Sequence, residues 1–203
     1  RNAAGFIAAL EIARKRGVPV VVLKVGRTLK SAQMAVSHTG AIAGNDAVYE
    51  AVFRAYGVHR VADMDEMAAT LALFDTPRRP APGQLGAIHD SGGERELLVD
   101  LAEDYGIQFA ELASATCTAL QEHLEPGLMA ENPLDAFGTH NNLEDRFATL
   151  IATLVNDVNV GLGVFLSNPR DGYAYAENYC SALIKAAQIT DKPLLLATNY
   201  SMV

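Results

Sequence analysis

Four short apolar runs set the terms for this chain: VPVVVLKV (18–25), LGAIHD (85–90), VGLGVFLSN (160–168) and PLLLATN (193–199). Each is nearly continuous rather than alternating, the pattern of a parallel strand buried on both faces. Between them lie segments with apolar residues at helical spacing. Strand–helix alternation of this kind implies right-handed crossovers and a parallel sheet covered by helices on both sides. The expected class is therefore α/β, with open, mostly parallel sheets.

The chain reads as two such domains. AAGFIAALEIARKR (3–16) is a helix that Gly17 stops. The first strand, a small-residue loop at 25–45, a helix ending at Gly57, a short strand in VHRV and the helix MDEMAATLALF follow. DTPRRPAPGQ (75–84) then changes character, with three prolines, two arginines and a glycine. We expect a first domain over 1–76, a linker over 77–84 and a second domain over 85–203. In the second, LGAIHD is a strand, SGG a tight loop, ERELLVDLAEDYG a helix, IQFAEL a strand and SATCTALQEHL a helix. EPGLMAENPLDAFGTHNN is a long polar loop, followed by helix, strand, helix and a last strand. The chain starts without Met inside a helical pattern, so the first domain is expected to lack its opening strands and the whole to be part of something longer.

A formal charge of -8 and a pI near 5.1 over 203 residues argue against general nucleic-acid or anionic-membrane binding. No apolar run reaches membrane-spanning length and no signal peptide is visible, so the expected location is cytoplasmic. Cys117 and Cys180 have no metal-type spacing and read as reduced structural thiols. His59, His89, His123 and His140 share no ligand spacing, so no metal site is expected. Tyr173 and Tyr175, at a helix start, read as packing residues.

In open parallel sheets, ligands bind at the carboxyl ends of strands. The loops at 25–45, 90–93 and 167–171 occupy such places. In the first, Gly40 and Gly44 permit close backbone approach, and Asn45 or Asp46 suits a helix cap. Amides there, with Ser37 and Thr39, offer donors to an anion, and Lys24, Arg27 and Lys30 add positive charge. His38 reads from these residues either as a nucleophile that carries phosphate or as a surface histidine in a turning loop.

KVGRT, then AVSHTGAIAG, then AVYEAVFRAYGVHRVADMDEM resemble the phosphohistidine segment of the nucleoside-diphosphate-forming acyl-CoA synthetases, the family that includes the ADP-forming acetate–CoA ligases and the succinyl-CoA synthetases. SGG after a strand, NPLD in the long loop and KPLLLAT near the end are similar to the family's next flavodoxin-like domain. The resemblance implies two flavodoxin-like domains, with His38 phosphorylated during catalysis. It also implies phosphate contacts from Ser37, Thr39 and Gly40 and, at the second domain, from Ser91, Gly92 and Gly93. Asn132, Asp135 and Arg95 are further candidates. Acyl-CoA, phosphate and ADP would exchange for acid, CoA and ATP, with Mg2+ accompanying the nucleotide. The implied partners are a CoA-binding domain and an ATP-grasp domain, in the same chain or in another subunit of a homo- or hetero-oligomer. The family's acidic partner of the histidine matches no residue here, and the acid remains open among acetate, other short acids and aryl acids.

One departure stands out. Relatives follow SGG with a small residue and Gly, where this chain has Glu94 and Arg95. Either both face solvent in the first helical turn, or Glu94 opposes and Arg95 supports a phosphate held there. ENPLDAFGT reads either as a loop shaping a domain interface or as a rigid surface loop. Two other functions remain open: a binding or regulatory module, and a phosphohistidine phosphotransferase that does not use CoA.

Overall fold

The computed structural model describes residues 2–39, 44–137 and 142–199. It divides into two compact units, Arg1–Pro77 and Arg78–Val203, and its sheets are parallel throughout, as expected.

The first unit runs α1 (Ala3–Lys15), β1 (Val21–Leu23), α2 (Leu29–Thr39), α3 (Asp46–Tyr56), β2 (His59–Val61) and α4 (Met64–Phe74), with β1 beside β2. Side-chain caps start α1, α3 and α4, as one does α2 below: Asn2 accepts from Gly5 N–H, Asn45 from Ala47 N–H and Asp63 from Glu66 N–H. Gly57 takes the left-handed conformation that ends α3.

The stretch expected to be one loop over 25–45 contains α2. Leu, Lys, Ala, Gln and Met are strong helix formers, and a reciprocal cap starts the helix. Ser31 N–H donates to Thr28 Oγ1 at 3.2 Å, and Thr28 N–H donates to Ser31 Oγ at 3.1 Å.

The second unit runs β3 (Gln84–His89), α5 (Gly92–Asp104), α6 (Ser114–Gln121), β4 (Leu134–Asp135), α7 (Leu143–Val155), β5 (Val160–Leu166), α8 (Ala176–Ile189) and β6 (Leu194–Ala197). Its strand order is β4-β3-β5-β6. IQFAEL does not form the expected strand; only Phe109 bridges to Leu85. Instead, β4 lies inside the stretch read as a polar loop and pairs Leu134 with Ile88 and Asp135 with His89. The core gathers on α7, which buries Leu143, Phe147, Leu150, Ile151, Leu154 and Val155. Phe147, Phe165 and Tyr179 form a ring cluster with centroids 4.9–5.6 Å apart.

The proline-rich stretch is tied to the second unit from Arg78 onward. Arg78 donates to the Ala187 carbonyl at 2.6 Å, Ala81 N–H to the Gly161 carbonyl at 3.0 Å and Gln84 N–H to the Asn159 carbonyl at 2.8 Å. A side chain at Gly161 would strike the Ala81 carbonyl. Limited proteolysis with a broad-specificity protease is therefore expected to nick first around Asp75–Arg78 and to spare 81–84. A first cut within 81–84, or elsewhere inside either unit, would contradict this.

Candidate functional site

The first unit presents its strand ends to a cleft of about 480 Å³. Leu23 at the end of β1 and Lys24, Val25, Gly26, Arg27 and Thr28 after it line the cleft, with Arg60 and Val61 of β2 and Ala62 just beyond. Behind this wall, Asp46 at the start of α3 binds Lys24 at 3.1 Å and Arg60 at 2.9 and 3.0 Å, while Glu50 takes Arg60's other nitrogen at 2.9 Å. These cations, Arg60 first, hold the Asp46 carboxyl below the usual carboxylate range. Arg60 is a residue that sequence reasoning missed. Its partners lie 14 and 10 positions away, too far to pair by helical spacing.

α2 starts at this cleft. His38 lies nine residues beyond Leu29, so its backbone stands roughly 14 Å along the helix axis from the first turn. Ser37, His38 and Thr39 thus share the last turn of α2, where only the backbone is described; Gly40 lies outside the described residues, as does His140.

In the second unit, the chain leaves β3 for the β4 edge and later returns on β3's other side as β5. The crevice beyond β3 and β5 is thus a topological switch point, where open α/β sheets bind ligands. A cavity of about 180 Å³ lies there, lined by Asp90, Ser91, Glu94, Asn168, Arg170 and Tyr173. Ser91 precedes α5 in extended conformation and makes no side-chain cap. Asp90 Oδ2 accepts from Ser167 Oγ at 3.3 Å. Burial pushes the Asp90 carboxyl up, against hydrogen bonds from Tyr179, Ser167 and Tyr173.

Neither Glu94 nor Arg95 is free in solvent. Glu94 accepts from Asn168, whose amide oxygen in turn accepts from Thr198 Oγ1 and Asn199 N–H, both at 2.8 Å. Arg95 pairs with Glu131 and lines a separate cavity with Asn132 and Pro133. Asp135 accepts from Phe137 N–H at 3.0 Å, and its other oxygen lies 3.0 Å from where a Gly92 side chain would begin. Asn132 is wholly engaged by backbone, accepting from Ala87 N–H and donating to the Leu85 and Ala110 carbonyls, each at 2.9 Å. Tyr173 lines the crevice and packs edge-on against Tyr175 at 5.8 Å. Among the described residues no group of His, Cys, Asp and Glu gathers to hold a metal, and no helix is long and apolar enough to cross a membrane.

His89, one residue before the crevice, is fully buried, and neither ring nitrogen has a hydrogen-bond partner. Desolvation lowers its pKa to about 4; Asp135 favours the protonated ring and Arg95 disfavours it. Because the folded value lies below the unfolded one of 6.5, the unfolded state takes up the proton first. The stability from keeping this ring neutral is complete above pH 6.5 and is lost as pH falls toward 4, amounting to about 3 kcal/mol. His89→Phe is expected to flatten the stability profile across that window, read by urea unfolding at several pH values. An unchanged slope would remove His89 from the acid sensitivity.

Residues 1–74 match the family described as the succinyl-CoA ligase like flavodoxin domain. An ADP-forming acetate–CoA ligase of Methanocaldococcus jannaschii is 34% identical over 131 residues, covering 64% of this chain and 19% of that protein. The alpha subunit of ADP-forming acetate–CoA ligase II of Pyrococcus furiosus is 31% identical over 155 residues, covering 75% of this chain and 33% of the subunit. This chain thus spans about a fifth to a third of the length of these relatives. The fold is shared with the dinucleotide-forming acetyl-coenzyme A synthetase 1 of Ca. Korarchaeum cryptofilum, solved in complex with phosphate and ADP. The TM-score is 0.77 at 24% identity, over 98% of this chain and 43% of that one.

Proposed function

Since the chain belongs to the nucleoside-diphosphate-forming acyl-CoA synthetase family, we propose that it is the phosphate-carrying part of an ADP-forming acid–thiol ligase. The enzyme interconverts acyl-CoA, phosphate and ADP with carboxylic acid, CoA and ATP. The observation that carries this reading is the SHTGAIAG segment, whose His38 falls in the last turn of α2 within the stretch that matches the family.

The reaction divides into displacements. Phosphate attacks the thioester carbonyl and CoA leaves, giving an acyl phosphate. A His38 ring nitrogen attacks phosphorus, the bond to the acyl oxygen breaks, and the carboxylate departs. An ADP β-phosphate oxygen then attacks the phosphohistidine, and cleavage of the P–N bond yields ATP. For this chain's residues the requirements are a nucleophile, amide donors for the phosphate oxygens and an arm that reaches. His38 is the nucleophile. Ser37, Thr39 and Gly40 are its phosphate-side neighbours, and α2 is the arm. Ser91, Gly92 and Gly93 at the start of α5 form a second phosphate-binding station.

Asp135 positions that station, through its approach to Gly92. Arg95 and Asn132 support it indirectly, the first through Glu131 and the second through the backbone around β3. CoA binds a Rossmann-type domain, and the nucleotide with its Mg2+ binds an ATP-grasp domain. Both act in the same chain or as a subunit of an oligomer in the cytoplasm, and no residue of this chain is assigned to hold them.

The test is CoA- and ADP-dependent ATP formation by the polypeptide supplied with those two domains. ATP formation from acyl phosphate that proceeds only when CoA chemistry is bypassed would point instead to a phosphotransferase. No formation under any condition would point to a regulatory module.

A further inference from the structure

We propose that the cleft at the foot of α2 is a binding site for the phosphate group of a small phosphorylated ligand. Its volume of about 480 Å³ falls in the range of small-molecule sites, about 300–1,000 Å³. Three cations line it, Lys24, Arg27 and Arg60, against one carboxylate, Glu66. Glu66 is already engaged, its Oε2 accepting from Ala62 N–H at 2.6 Å. Asp46 and Glu50, which hold Lys24 and Arg60, are not part of the lining.

Two of the cations are set in advance. The side chains of Lys24 and Arg60 are only 13% and 21% exposed. Lys24 also rests over the Tyr49 ring, 4.6 Å from its centre. Fixed cations lose little freedom when a ligand arrives.

Arg27 differs from both: it is exposed, and among the described residues it has no ion-pair or hydrogen-bond partner. A guanidinium fork without a partner beside two fixed cations suits a phosphate, which it grips through two oxygens. Thr28 and Ser31 already cap α2 between themselves, with their hydroxyl oxygens 2.8 Å apart. The charge that meets the ligand therefore comes chiefly from Arg27, beside Lys24 and Arg60 that Asp46 and Glu50 already pair, rather than from the helix end. The site does not require His38 to be phosphorylated, and its ligand need not be the group that His38 would carry.

Amide NMR of the 203-residue chain, titrated with pyrophosphate, tests this. Saturable shifts are expected at Gly26, Arg27, Thr28 and Arg60. Arg27→Gln should weaken binding roughly tenfold or more, the loss of one charge-assisted pair. Lys30→Gln removes the same charge outside the cleft and should change binding less than about twofold, as a screened exposed charge does. His38→Ala should bind as the parent does, so failure here is separate from failure of the phosphohistidine reading. Arg27 is exposed, so an otherwise unchanged spectrum verifies that its variant folds. Absence of saturable shifts, equal losses from Arg27→Gln and Lys30→Gln, or acetate binding as tightly as pyrophosphate would each overturn the proposal.

Discussion

Replacing His38 with Ala is expected to abolish overall turnover, a fall of at least about 10³-fold, because the proposed covalent step loses its nucleophile. The same substitution should leave folding stability nearly unchanged, since Ala is a better helix former than His. The pairing of lost turnover with preserved stability is what separates a nucleophile from a packing residue. His38→Asn, which keeps polarity without a nucleophilic nitrogen, should be equally inactive. Steady-state ATP formation and urea unfolding on both variants read the two sides. Turnover within about tenfold of the parent would mean that phosphate does not pass through this residue.

The second large effect is structural. The Asn132 side chain joins three backbone groups from two segments: it accepts from Ala87 N–H and donates to the Leu85 and Ala110 carbonyls. Ala87 is fully buried, on a strand with neighbours on both sides. Asn132→Ala strands the Ala87 N–H and the Ala110 carbonyl, while the Leu85 carbonyl keeps Ala110 N–H; each buried unpaired group costs about 1–3 kcal/mol. A total loss of about 2 kcal/mol or more is expected, seen as a lower urea midpoint for the second unit. Asn132→Asp keeps the acceptor but lacks both donors, and should be destabilised too. A change below about 0.5 kcal/mol would show that water replaces the amide without cost.

Asn132 also explains why one strand was misread. IQFAEL has the β-branched and aromatic content of a strand. Its backbone nevertheless meets β3 only around Leu85, through Leu85 N–H to the Gln108 carbonyl and Ala110 N–H to the Leu85 carbonyl. The Asn132 amide then takes the Ala110 carbonyl and the Ala87 N–H, the groups a longer ladder would have used. β4 was hidden for the opposite reason: two residues inside a polar stretch carry no period of their own, and their pairing depends on the edge β3 offers. The long strands β3 and β5 were legible because both sit inside the sheet, where an apolar run is needed on both faces.

The site divides in the same way. SHTGAIAG marked His38 by residue identity alone, but small residues suggested a loop where Thr28 and Ser31 start a helix. Glu94 and Arg95 stood out as a pair in sequence, yet they diverge, one to Asn168 and the other to Glu131. Neighbouring residues in a helix's first turn face about 100° apart, so adjacency in sequence does not imply a shared ligand. Asp90 was passed over because nothing local marks it; Ser167 and Tyr179, which hold it, lie far along the chain.

On the proposed reading, phosphate rides on His38. The most direct measurement is to supply the complete enzyme with acyl phosphate in the absence of ADP and map the modified residue by mass spectrometry under alkaline handling. One phosphate per active site is expected, on His38, stable to base, lost in acid, discharged by ADP and absent from His38→Ala. A phosphate found on another residue, or retained in His38→Ala, would contradict it.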